Sequence, residues 1–166
     1  MAARIAPFLL SALLVASAGA GWAREIDWAR AGAEARERVQ PVAILITGPD
    51  CGYCARLHQE FLDAPPTRGT LERATVLHEI SRDEGGKVID FDGERIRTRL
   101  FLARYEIFAT PTLLLLSPEG ELLAPPIVGF NGPQAYGELI AKRVKGAQHN
   151  LASGQRPSRD TLAISD

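Results

Sequence analysis

Two spacings of apolar residues organise this chain. Continuous runs occur at "VAILIT" (Val42–Thr47) and "TLLLLS" (residues 112–117). Such runs, β-branched or aliphatic with no alternating polar partner, mark strands covered on both faces. "TVLHEIS" (75–81) alternates like a strand. "LLAPPIVGF" (122–130) belongs at a sheet edge, because Pro125 and Pro126 cannot donate ladder hydrogen bonds.

Helical spacing fills the segments between. Residues 27–39 are rich in Ala, Glu and Arg, and Asp27 is placed to cap their start. Residues 51–63 put Cys54, Leu57 and Phe61 on one stripe, and Pro65 and Pro66 stop them. A polar stretch, "RDEGGKVIDFDGER", precedes a helix over 94–105 with Ile96, Leu100 and Ala103 on one face. "PEGE" is a turn. The last helix opens at Pro133 and stops at Gly146. The order is helix, strand, helix, strand, helix, strand, strand, helix. Strand–helix–strand units imply parallel pairing, and the final tight turn implies an antiparallel pair. The pattern predicts an α/β fold: a central mixed β-sheet flanked by helices on both faces.

The first residues change the picture. "MAARIAPFLLSALLVASAGAGWARE" has a basic residue at Arg4, an apolar core from Ile5 to Val15, and small residues after it. That is a secretory signal with cleavage after Ala20 or Ala23. The core is short for a membrane span, which needs about 20 apolar residues. Residues 1–23 are therefore expected to be removed and the mature protein to act in a bacterial periplasm, where disulfides persist. Residues 24–145 suit one domain. The tail, 146–166, is polar and aperiodic and is expected to be disordered. A net charge of −1 argues against nucleic acid as a partner.

The chain holds two cysteines, both in "PDCGYC". Cys51 follows a buried strand and a Gly-Pro-Asp loop, at the first turn of a helix. Free N–H groups and the positive end of the helix dipole favour a thiolate there. Cysteines in such pairs reach pKa values of about 3.5–7.5, against roughly 8.5 when free. The thiolate is the attacking species in exchange. Cys51 is thus the candidate nucleophile. Cys54, on the inward stripe, is the candidate resolving thiol. Tyr53 offers a flat apolar contact to a substrate chain. A purely structural disulfide closing so small a loop would constrain the unfolded chain little. A zinc or copper site is the other reading. Four ligands are usual for structural zinc, and His58 is the residue best spaced to join Cys51 and Cys54.

With "CGYC" after "VAILIT" and "ATPTLLLL" after the third helix, the chain resembles the thioredoxin superfamily over residues 26–145. The resemblance implies a cis peptide bond before Pro111, facing the disulfide. It also implies substrate binding at Thr110 and Pro111 by strand addition. "VGF" (128–130) is similar to the family's final strand, where Gly129 would permit close approach. The chain departs from cytosolic thioredoxins in two ways. Asp50 precedes Cys51, with Gly-Tyr between the cysteines. Leu45 stands where they carry a buried Asp that takes the resolving thiol's proton, which leaves water, His58 or Glu60 as acceptor. Gly-Tyr with a Thr before the proline resembles periplasmic disulfide isomerases. The insert through "DFDG" is similar to secreted SoxW-like thioredoxins found with sulfur-oxidation systems. The function implied is thiol–disulfide oxidoreductase, mainly a reductase of protein disulfides. No organic cofactor is implied, and the implied electron donor is a membrane thiol transporter of the DsbD or CcdA type. Isomerase or oxidase activity is the alternative within the class, and a copper chaperone using Cys51, Cys54 and His58 the alternative outside it.

Overall fold

The computed structural model describes residues 25–65 and 67–155. The segment read as a secretory signal and the far end of the tail lie outside the described residues. Helix α1, Trp28–Arg38, is capped by the Asp27 carboxylate, which accepts from the Arg30 N–H at 2.9 Å. Strand β1, Val42–Thr47, follows. Helix α2, Gly52–Leu57, runs into a π-helical turn at His58–Leu62. The extra residue in that turn rotates the stripe. Leu62 becomes the buried residue, and Phe61 is only half-buried.

Helix α3, Thr67–Ala74, has no counterpart in the apolar pattern, because Leu71 is its one large apolar residue. Strand β2 is Val76–Ser81. A hairpin comes next, β3 at Lys87–Ile89 and β4 at Arg95–Arg97. Helix α4 is Thr98–Arg104, so the helix expected from residue 94 starts four residues later. The first of its positions belong to β4, paired with β3, and periodicity over three residues cannot separate the two. Strand β5, Thr112–Leu116, strand β6, Ile127–Val128, and helix α5, Pro133–Ser153, complete the chain.

The main sheet has the order β2-β1-β5-β6. β1 and β2 are parallel, with Leu45 opposite Glu79. β5 is antiparallel to β1, and β6 to β5. The second strand–helix–strand unit therefore does not give a parallel pair. Hairpin and α4 together return the chain to the end of the sheet where β2 finished, so β5 must run back.

Alternation along β1 and β5 explains their unbroken apolar runs. Ala43, Leu45, Leu113 and Leu115 face α2, α3 and α5. Val42, Ile44, Ile46, Leu114 and Leu116 face α1, α4 and the hairpin. On the second side Trp28 stacks on Phe101 and Phe91, with ring centroids 5.1 and 6.3 Å apart.

"DFDG" is the hairpin turn. Asp90 is buried, and its carboxylate accepts from Arg104 at 3.0 and 2.5 Å and from the Phe91 N–H at 2.9 Å. Breaking a buried pair by removing one charge costs about 3–5 kcal/mol. Arg104 is half-exposed and can return to water, so Asp90→Asn is expected to lose nearer 2 kcal/mol. Urea unfolding reads this directly, and an unchanged midpoint would show that the pair does not hold the hairpin.

α5 does not stop at Gly146. The buried stripe Tyr136, Ile140, Val144 and Ala147 runs through it, and the Asn150 amide donates to the Leu123 carbonyl at 2.9 Å. Gly146 is an ordinary helical residue. The left-handed cap is Gly154, at φ 65°. Residues 146–153 are thus helix, not disordered tail.

Candidate functional site

The loop after β1 turns at Asp50, whose φ of 53° is unusual for a residue with a Cβ. It delivers Cys51 to the N-cap of α2. There the Cys51 Sγ accepts from the Cys54 N–H at 3.1 Å. Cys51 and Cys54 are joined in a disulfide. Cys51 is half-buried and Cys54 is buried, 5% exposed.

The loop before β5 faces this pair. The Thr110–Pro111 peptide is cis. The Thr110 carbonyl oxygen lies 3.5 Å from Cys51 Sγ, and its hydroxyl donates to the same sulfur at 3.4 Å. Pro111 is buried, and its carbonyl accepts from the Gly129 N–H at 2.8 Å, beside the pairing of Thr112 with Val128. Gly129 has φ 81°, and a Cβ there would meet nothing within 4 Å. Its glycine is required by backbone conformation, not by close approach.

Four of the residues singled out from the sequence, Cys51, Cys54, Thr110 and Pro111, therefore meet at one place. Tyr53 stands exposed next to the disulfide. Phe108, two residues before Thr110 on the cis-proline loop, is 70% exposed, and Val128 is a third exposed apolar residue, on the strand paired with β5. Phe108 and Val128 were not anticipated. The signal was present in "EIFATPT", where an aromatic precedes the Thr-Pro pair, but exposure is a property of the folded loop.

A groove of about 610 Å³ opens beside the sulfurs, lined among others by Asp50, Cys51, Cys54, His58 and Glu79. His58 and Glu79 are hydrogen-bonded in it, Nε2 to Oε1 at 3.0 Å. Leu45 is buried in the apolar layer under α2. Glu60 is held by Arg56 at 2.8 and 3.2 Å, and this pairing lowers its carboxyl below the ordinary range. Arg56 also lies over the Phe130 ring, 5.6 Å from its centroid. With both sulfurs bonded to each other and His58 turned to Glu79, no group of three or more His, Cys, Asp or Glu side chains that could hold a metal is formed among the described residues.

An α/β domain with helices on both faces of a mixed sheet, and with a Cys-X-X-Cys disulfide at a helix start opposite a cis-proline loop, defines a class. A family model described as "Thioredoxin-like domain" matches residues 28–143, and the chain belongs to that family. Solved structures share the fold. DsbH oxidoreductase superposes with a TM-score of 0.57 at 18% identity, covering 85% of this chain and 95% of that one. The oxidised C-terminal domain of Neisseria meningitidis DsbD gives 0.51 at 17%, covering 69% and 90%. A thioredoxin from Thermus thermophilus gives 0.50 at 20%, covering 80% and 92%. No curated protein matches the chain in sequence. Among the described residues, no helix is long and apolar enough to cross a membrane.

Proposed function

We propose that this protein is a thiol–disulfide oxidoreductase that reduces protein disulfides in the bacterial periplasm. The observation that carries the reading is the Cys51–Cys54 disulfide at the N-cap of α2, with Thr110 of the cis-proline loop against Cys51. Once the pair is reduced, a Cys51 thiolate keeps the Cys54 N–H as donor, and hydrogen bonding to the charged form favours it. Cys51 is the more accessible sulfur and attacks the substrate disulfide. Cys54 then displaces the substrate thiol. Thr110 and Pro111 receive an extended substrate segment, and Tyr53 packs on it.

The secretory pattern of residues 1–23 supports the periplasmic assignment. Electrons come from a membrane thiol transporter of the DsbD or CcdA type, and the "DFDG" insert supports a SoxW-like place beside sulfur oxidation. Reductase and isomerase or oxidase differ in redox potential, because an oxidant has a stabilised reduced form.

Trapping tests the roles. Cys54→Ala is expected to accumulate partner proteins linked through Cys51, released by reductant and identified by mass spectrometry. Adducts that form only on Cys54 in the matching Cys51→Ala protein would reverse the two roles.

A further inference from the structure

Resolution of a mixed disulfide needs the Cys54 thiol to lose its proton, because the thiolate attacks. Cys54 is buried, which disfavours its charged form. A nearby acceptor is therefore worth having. β1 supplies none, since Ala43 and Leu45 are apolar and buried in the layer under α2. Glu60 is a poor base, because both its carboxylate oxygens are occupied by Arg56. The groove that Cys54 shares with His58 and Glu79 is what remains, and it is open and large enough to admit water.

We infer that His58 and Glu79, acting as one hydrogen-bonded couple through groove water, take up the Cys54 proton in the resolving step. The inference rests on the oxidoreductase reading. A neutral His58 that donates Nε2–H to Glu79 has its lone pair at Nδ1. Nδ1 is 3.7 Å from the Asp63 carboxylate, so that lone pair is not tied up by a donor. Both ring nitrogens thus face carboxylates, Nε2 at 3.0 Å from Glu79 and Nδ1 at 3.7 Å from Asp63. Arg68 approaches Asp63 at 3.9 Å, and Asp50 is the remaining carboxylate that lines the groove. Imidazole is the side chain that takes up and returns a proton in the neutral range.

The step balances. Cys54 gives its proton to the couple and its sulfur electron pair to Cys51 Sγ. The bond from Cys51 to the substrate sulfur breaks. The substrate leaves as thiolate and recovers a proton from the couple. The cysteine pair loses two electrons and the substrate disulfide gains two.

The two steps separate with an aromatic disulfide that liberates a coloured nitrothiobenzoate ion. Mixed with the reduced protein, it releases one ion when Cys51 attacks and a second when Cys54 resolves. The first phase depends on reagent concentration and the second does not. His58→Gln and Glu79→Gln are each expected to slow the second phase at neutral pH by about tenfold or more, the low end of general-base effects. The first phase should hold. The slowing should shrink as pH rises, added imidazole should restore the rate of His58→Gln, and the double variant should be no slower than the worse single one. Glu60→Gln should leave both phases alone. A second phase unchanged or faster in both single variants overturns the couple, as does slowing by Asp50→Asn in its place. A wild type with no first phase would instead sink the oxidoreductase reading itself.

Discussion

Replacing Cys51 with serine is expected to abolish disulfide reduction. Serine keeps the size of the side chain and can still accept from the Cys54 N–H. It therefore keeps the N-cap, and the helix that carries Cys54 should form as before. What it lacks is a sulfur that ionises near neutral pH and enters a disulfide. Loss of a covalent nucleophile typically costs more than about a thousandfold, so turnover should fall to the rate of the free dithiol used as electron source. Insulin reduction followed by turbidity measures it, with unfolding in urea as the check that the domain is intact. Retention of a tenth of wild-type activity by a folded Cys51→Ser protein would remove Cys51 from the mechanism.

The second large effect concerns the fold. Trp28→Ala is expected to cost about 3–5 kcal/mol, the range for truncating a buried aromatic. Trp28 has no exposed surface, stacks on Phe101 and Phe91, and meets His78 edge-on at 5.6 Å between centroids. Those contacts join α1 to α4, the hairpin and β2, so its loss opens a void between four elements. Domains of this size are stable by about 5–15 kcal/mol, so a large part of the native population is at stake. Among the described residues the indole Nε1 has no hydrogen-bond partner. Trp28→Phe then leaves no polar group orphaned and should cost clearly less than the alanine variant. Urea midpoints for the two variants give the comparison. A loss below 1 kcal/mol for alanine would mean that the second layer repacks around the gap.

Much of the site was readable because it is local. Cys51 and Cys54 sit within one helical turn, and the strand before them and the turn that starts their helix are short-range features. The Thr110–Pro111 loop needed more, since it lies far along the chain, and its reading rested on a family resemblance. His58 and Glu79 belong to different elements and meet only because β2 lies parallel beside β1. Glu79 had no signal of its own in the sequence. Arg56 and Glu60 stand at helical spacing, but their pairing, and so whether Glu60 was left free to act, depended on which way both side chains point.

By itself, the sequence determined the elements that bury large apolar surface. Unbroken runs at β1 and β5 can be stable only between two layers, and so the mixed sheet with helices on both faces follows from them. The end of α5 did not follow from the sequence, since packing of Ala147 in the core and the bond from Asn150 to the Leu123 carbonyl carry the helix past Gly146. Tertiary structure decided what local spacing leaves degenerate. Three-residue strands in the hairpin, the reversed direction of β5 and the π-helical turn at His58 depend on partners distant in the chain. Strand pairing is fixed by packing against those partners and not by intrinsic preference. The contact of His58 with Glu79 in the groove that Cys54 also lines is of the same kind, because it needs β2 to lie beside β1.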